Sequence, residues 1–414
     1  MSTVVKGLSI DNGGSEMRVL LNEGKMIDYN KSEAIPVFCS PNRLYKIHED
    51  DFRVKEITQA ESVIHVTKAP SEEHVGYYVM GPGSSLYDGK LLELDTLRFK
   101  TDSPQFYEQF IYAIGRGLYY SFMGLNTEDT TTVESTLTAA DRAQQKVKYQ
   151  YIPEQKCTNE EVSVVVCLGT NIPLQEHSGK KDRTADFKSR LAGDYTVEFP
   201  LCKDGLKRIN FKLVPEFIIV MPEGGVCISA FGNKLQDDEY SLVVDLGDVS
   251  LDIACFRGKQ LTAFDSTSNA GTKLITKMTS ALKDEGIKCN EEAAQRALSE
   301  GRVKNGNSFI DVVSIAEEVR RDFVYNSMKA DIIGVMTTVD IIPQQISKVV
   351  VVGRMMDEDA IFTPLAEFIV DSLEMENVSI VRPFKIGRLA NLMSVNLFTT
   401  IFSKKAREVY EDRN

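Results

Sequence analysis

Two ten-residue stretches far apart in the chain share one pattern: IDNGGSEMRV at residues 10–19 and VDLGDVSLDI at residues 244–253. Each places an apolar residue before an aspartate, then any residue, a glycine, a small or polar pair and a strand-like alternation. A single Asp-x-Gly is ordinary turn chemistry, and two coincidental surface hairpins are the plain alternative. Recurrence at corresponding points of two α/β halves instead predicts an internally duplicated fold. Glycine turns expose backbone N–H groups that can cradle phosphate oxygens, because small residues permit close approach. A carboxylate ending each strand then has a role beside an anion: it orders a Mg²⁺ ion, usually through the ion's waters.

The segments around the two stretches support two α/β halves. TVVKGLSID reads as a strand, the Asn12-Gly13-Gly14 turn follows it, and SEMRVLL completes a hairpin. Further strands are expected around Val37 and at YYVM, and a helix over SPQFYEQFIYAIGRGLYYSFMGL with Ser103-Pro104 at its start. Residues 125–160 are polar and predicted to hold an exposed helix and loops. EVSVVVCLGTNIP reads as a buried strand entering a turn, and SGKKDRTADFKSRL as a charged, solvated excursion. Strands resume at RINFKLVPEFIIVMPEGG. From about residue 236 the order repeats: a hairpin region over 241–265, a helix over SNAGTKLITKMTSALKDEG with a Ser/Asn cap, and continued helix over SFIDVVSIAEEVRRDFVYNSMKADIIGVMTTV. SKVVVVG has the unbroken β-branched run of a parallel strand covered on both faces. Asp252, alternating with Leu251 and Ile253, reads as structural. The apolar positions between Leu389 and Phe402 read as packing against the first domain.

Composition narrows the function classes. A net charge of −12 leaves no general basic surface for nucleic acid, so any DNA role passes through an adaptor. Seven cysteines without a C-x-x-C pair and four histidines without ligand spacing argue against zinc, a disulfide framework or a histidine triad. No apolar run reaches the length of a membrane span and MSTVVKGLSI lacks a signal-peptide layout, so the expectation is a cytoplasmic protein without membrane attachment. Neither G-x-x-x-x-G-K-[ST] nor G-x-G-x-x-G occurs.

These motifs resemble those of the actin, sugar-kinase and heat-shock chaperone ATPase superfamily, most of all the bacterial actin-like ATPases of plasmid segregation, the ParM type. IDNGGSEMRV resembles the family's first phosphate motif, VVDLGDVSLDI the second, and FIIVMPEGGVCISAF the connecting segment. VVCLGTNIPLQ with FKSRL and YTVEF is similar to the stretch before that segment, and SKVVVVGRMM falls where the adenosine motif belongs. The resemblance spans Ser9 to about Phe398. It implies that Asp11 and Asp245 order the Mg²⁺ waters. Asn12, Gly13, Gly14 and Ser15 would contact the phosphates from one side and Gly247, Asp248 and Val249 from the other. Arg18 falls where actin has a phosphate-contacting lysine. Glu223 would orient or deprotonate the attacking water, and Gly353 would lie against the base or ribose. Two departures stand out: Asp248 replaces a glycine of the ParM pattern, and Arg354 follows Gly353 where further glycine is usual.

The implied fold is α/β, an actin-like, ribonuclease H-like duplicated two-domain fold with nucleotide in the cleft. Residues 1–235 would form domain I, with a small subdomain within about 31–100 and a C-terminal return of 391–414; residues 236–390 would form domain II. The implied function is a polymerising ATPase, using Mg²⁺ and ATP or alternatively GTP. Its dynamic filaments would segregate plasmid or phage DNA through a ParR-type DNA-binding adaptor. A sugar or small-acid kinase of the same superfamily, and a nucleotide-binding scaffold with little hydrolysis, are the alternatives.

Overall fold

The computed structural model describes residues 4–13, 16–21, 37–41, 44–48, 60–80, 89–92, 99–124, 130–131, 157–231, 236–306, 308–357, 359–375, 377–383 and 389–411. The chain divides into two units, residues 1–222 with 391–414, and residues 223–390. Gly14, Ser15 and most of residues 125–156 lie outside the described residues.

The first unit is built on one sheet. Its strands are β1 (Val4–Asn12), β2 (Glu16–Leu20), β3 (Val37–Pro41), β4 (Leu44–Ile47), β5 (Val63–Lys68), β6 (Gly76–Met80), β7 (Gly89–Leu92), β8 (Thr130–Thr131), β9 (Glu161–Ile172), β10 (Gly193–Glu198) and β11 (Arg208–Pro222). The order across the sheet is β7-β4-β6-β5-β10-β11-β9-β1-β2-β3-β8. Within it, β3-β2-β1 is an antiparallel meander, while β9 runs parallel to β1 and β11 parallel to β9. The valine-rich β9 sits at the centre and is buried along most of its length, as a parallel strand covered on both faces requires.

Helix α1 (Pro104–Met123) starts with proline in its first turn and ends at Gly124, φ +86°. It covers one face of the sheet: Leu8, Ile10, Val164, Val166 and Leu168 share a core with its Phe110, Ile114 and Leu118. Gly117 brings it close, since a Cβ there would stand 2.9 Å from Val19 Cγ1. Two shorter helices follow β9, α2 (Leu174–Ser178) and α3 (Thr184–Leu191). The charged run expected to be a solvated excursion therefore contains a helix. Phe187 and Leu191, one turn apart, are fully buried against α1, which outweighs the polar composition around them.

The second unit repeats the sheet. After the short helix α4 (Cys227–Phe231) come β12 (Tyr240–Leu246), β13 (Leu251–Arg257), β14 (Gln260–Thr267), β15 (Arg302–Asn305), β16 (Ser308–Asp311), β17 (Ile346–Val352) and β18 (Ser379–Val381). The five-stranded order is β14-β13-β12-β17-β18. Here too the first three strands are antiparallel and the last two parallel to the first. Strand for strand this is the arrangement of β3-β2-β1-β9-β11, so the duplication extends from a ten-residue motif to the sheet topology.

Helices α5 (Gly271–Asp284), α6 (Glu291–Glu300), α7 (Val313–Asp322), α8 (Lys329–Thr338) and α9 (Asp359–Glu367) supply the unit's core partners for Leu242, Val244 and Leu246. The expectation of unbroken helix from Ser308 is corrected. Residues 308–311 pair with β15 as a strand, and the Asp311 carboxylate accepts from Val313 N–H to start α7. A π-type turn over Phe323–Met328 joins α7 to α8.

The last helix, α10 (Ala390–Tyr410), returns to the first unit and covers the sheet face opposite α1. Val5, Val165, Cys167 and Ile219 pack there with Phe398, Phe402 and Ala406, which agrees with the expected packing role of this segment. Gly169 permits the close approach, because a Cβ would fall 1.8 Å from Thr399 Oγ1. Ser9 donates to Thr399 Oγ1 at 2.9 Å across the same seam.

Candidate functional site

The aspartates of the two repeated motifs occupy equivalent register positions. Asp11 pairs with Arg18 across β1 and β2, and Asp245 with Asp252 across β12 and β13. Both aspartates are buried. Because side chains alternate along a strand, Asp11 lies on the face away from α1 while Ile10 faces it. Asp245 likewise turns from the helices that cover Val244.

In the first unit the Asp11 carboxylate has a partner for each oxygen. Arg18 Nη1 donates to Oδ2 at 2.7 Å and Asn171 Nδ2 to Oδ1 at 3.2 Å. Arg18 Nε also donates to Glu16 Oε2 at 2.8 Å. Burial works against the guanidinium's charge, but the Asp11 and Glu16 carboxylates outweigh it and hold the arginine's pKa above its ordinary value. Asn12 donates to Gln109 Oε1 of α1 at 3.0 Å, fixing the end of β1. A Cβ on Gly13 would meet the Glu16 carbonyl oxygen at 3.0 Å, so the turn is tight at its first glycine. Asn171 was not singled out in the sequence. Its only signal is its place two residues beyond Gly169 on the strand beside β1.

In the second unit, the turn after β12 closes with Gly247 N–H donating to the Ser250 carbonyl at 3.0 Å. The Gly247 and Asp248 carbonyls accept from Gly271 N–H at 3.1 Å and Thr272 N–H at 2.7 Å, the first groups of α5. These bonds do what the expected Ser/Asn cap would have done. Asn269 instead donates to Asp331 at 2.6 Å, and the residue before the helix is Ala270. In a trans peptide, C=O and N–H point in opposite directions. Carbonyls aimed at α5 therefore turn the Asp248 and Val249 N–H groups away from it, at a position where Val249 is exposed.

Two glycines bracket Asp245. Gly224, φ +66°, would place a Cβ 3.3 Å from Asp245 Oδ2, and Gly353, φ +95°, would place one 2.5 Å from Oδ1. The Gly353 Cβ would also lie 2.4 Å from the Leu246 carbonyl oxygen, so only glycine fits. Glu223 precedes Gly224 in a tight turn in which Gly225 N–H donates back to the Glu223 carbonyl at 2.6 Å. The second unit thus gathers Glu223, Asp245, Asp252, Gly247, Asp248, Val249 and Gly353 around one strand end. Asp252 accepts from Ser250 Oγ at 2.9 Å, and the Gly224 turn packs over it. This joins it to the same cluster, where the sequence suggested only a structural residue.

Carboxylate oxygens at Asp245 and Asp252 are hard donors of the kind Mg²⁺ takes, and so they fit that ion. Asp11 is already balanced by the Arg18 guanidinium, with which a cation there would compete. Among the described residues no group of three or more His, Cys, Asp or Glu side chains is arranged to hold a metal directly, and no helix is long and apolar enough to cross a membrane.

No family model matches the sequence, and no curated protein matches it. Solved structures do match. The actin-like protein Alp7A superposes with a TM-score of 0.64 at 12% identity, over 100% of both chains. The archaeal actin homolog Ta0583 gives 0.60 at 13% identity, over 95% of this chain and 98% of that one. Bacillus thuringiensis ParM with AMPPNP gives 0.57 at 14% identity, over 95% and 98%. With the duplicated sheet, these likenesses establish that the chain is an α/β protein with the actin-like fold.

Proposed function

We propose that this protein is a nucleotide-dependent, polymerising actin-like ATPase, with phosphate-binding turns at its two repeated motifs. The observation that carries the reading is the β12–β13 turn, whose carbonyls are held by α5 so that the N–H groups of Asp248 and Val249 face the other way. Gly13, Gly14 and Ser15 are the counterparts in the first unit. Phosphoryl transfer asks a protein mainly for positioning and charge neutralisation, which such turns supply. When bound, Mg²⁺ would neutralise phosphate charge, and Asp245, backed by Asp252, would hold it through its waters. Arg18 stays fixed by Asp11 and presents a cation beside the first turn. Glu223, set beside Asp245 by the Gly224 turn, acts on the attacking water, and Gly353 admits the ribose or base. The relation of fold to a ParM solved with AMPPNP supports ATP as the nucleotide, with GTP as the alternative.

Self-association into filaments, with DNA carried by an adaptor of ParR type, accords with the ParM and Alp7A likenesses and with the −12 charge, which disfavours direct DNA contact. Head-to-tail contacts that do not close generate such filaments. The test is release of inorganic phosphate by the full chain in Mg²⁺ with ATP or GTP, alongside sedimentation. Turnover that accompanies protein in the pellet supports the proposal. Turnover that stays negligible until a sugar or small acid is added would assign the protein to the kinase reading instead.

A further inference from the structure

The two positions at which the motifs depart from the ParM-type pattern, Asp248 and Arg354, are partners. Arg354 Nη1 donates to Asp248 Oδ2 at 3.2 Å. They meet because β17 lies parallel to β12, which brings the end of one strand beside the turn after the other. The arrangement is held from both ends of a short segment. Gly353 fits against Leu246 and Asp245 with no room for a side chain. Two residues on, Met355 and the Asp248 turn both close on Gly271, where a Cβ would stand 3.2 Å from Met355 Sδ and 3.2 Å from Asp248 Cα. Arg354 therefore leaves the backbone from a fixed point beside the turn.

A carboxylate in a turn that must approach phosphate is a liability, since like charges at such range repel. Arg354 neutralises it. The arginine's side chain is 41% exposed, and Nη1 to Asp248 is its one hydrogen bond among the described residues, which leaves Nε and Nη2 with donor capacity for an anion. A guanidinium presents several donors in a rigid fork, and one edge can hold a carboxylate while the rest take an anion.

We propose that Arg354 is a phosphate-binding residue of the second unit, held in place by Asp248 and donating to the β- or γ-phosphate oxygens of the bound nucleotide. The proposal rests on the nucleotide-binding reading above. On this account the two departures compensate each other, with Asp248 positioning an arginine that in turn removes the carboxylate's repulsion.

The test is competition of ATP, ADP and AMP against a fluorescent ADP analogue in Mg²⁺, using the full chain, Arg354→Ala, Arg354→Lys and the double variant Asp248→Asn with Arg354→Ala. Melting curves accompany each variant to verify folding. Arg354→Ala is expected to weaken ATP and ADP by about tenfold or more, the scale of one charge-assisted hydrogen bond, and to leave AMP unchanged. Arg354→Lys should fall between wild type and Arg354→Ala. The double variant should recover part of the loss, because the carboxylate charge that repels phosphate is gone. The proposal is overturned if Arg354→Ala binds ATP as wild type does, if AMP weakens as much as ATP, or if the double variant binds no better than the single one. If wild-type protein binds no nucleotide, the proposed function itself falls and this inference with it.

Discussion

Arg18 Nη1 stands 2.7 Å from Asp11 Oδ2, a cross-strand ion pair at the register position where the second unit sets Asp245 against Asp252. The duplicated sheets are alike in topology and unlike in charge at this point. One carries its own cation, and the other faces two carboxylates. Removing one partner of a buried ion pair leaves the other uncompensated, at a cost of about 3 kcal/mol. Asp11→Asn is therefore expected to destabilise the first unit by about that amount, reduced by the remaining Glu16 bond. Urea unfolding of wild type and variant measures it, and an unchanged midpoint would contradict the role given to the pair.

Gly353→Ala should be more disruptive than an exposed glycine replacement. The backbone there is left-handed at φ +95°, and the new Cβ would fall 2.4 Å from the Leu246 carbonyl oxygen. A loss of about 1–3 kcal/mol in unfolding free energy is expected. Gly286→Ala, also at positive φ but with nothing within 4 Å of the added atom, serves as the control and should cost less.

The seam between α10 and the central strands can be tested by coupling. Gly169→Ala drives a methyl into Thr399 and Val395. Pairing it with Thr399→Ala should return part of the lost stability, although Val395 Cγ1 at 2.8 Å prevents full recovery. Strict additivity in thermal melts would mean that α10 does not pack on Gly169 as described.

Acid should weaken the first unit through two histidines, His74, which is buried, and His177, which is half-buried. Burial lowers the pKa of His74 below its ordinary 6.5, with Lys46 and Arg190 adding to the effect against Glu73. Burial also lowers His177. A depressed folded-state value means the unfolded chain binds the proton first, so this stability is complete above about 6.5 and is lost as pH falls through the folded values. Glu108 runs the other way: burial raises its pKa, and its contribution is lost as pH rises. Melting temperatures taken downward from pH 7 should fall less steeply for His74→Gln with His177→Gln than for wild type.

Glu223→Ala should reduce nucleotide turnover by about 100-fold while leaving nucleotide affinity near that of wild type, the behaviour of a residue acting on water in the transition state. Phosphate release and competition binding on the same preparation separate the two effects. An unchanged slow rate would favour a scaffold that binds but barely hydrolyses.

What was legible in the sequence was local. The two hairpins announced themselves by Asp-x-Gly turns flanked by alternating residues. The β17 strand did so by its unbroken valines, and α1 by its proline start and helical period. What escaped depended on partners distant in the chain. The first N–H groups of α5 are satisfied by turn carbonyls, so no capping side chain was needed to begin it. Residues 308–311 run without a break into a helical pattern but find a strand partner in β15. Asp248 and Arg354, 106 positions apart, read separately as two irregularities and become one ion pair only when β17 lies beside β12. Phe187 and Leu191 were visible at helical spacing, but the charged residues around them concealed a buried face.

Nucleotide-driven polymerisation is read most directly by right-angle light scattering of the purified protein in Mg²⁺, before and after addition of ATP or GTP, with pelleting at the plateau. A polymerising ATPase gives a rise that decays as nucleotide is consumed, with protein in the pellet only while scattering is high. No rise at high protein concentration, with nucleotide demonstrably bound, would contradict polymerisation.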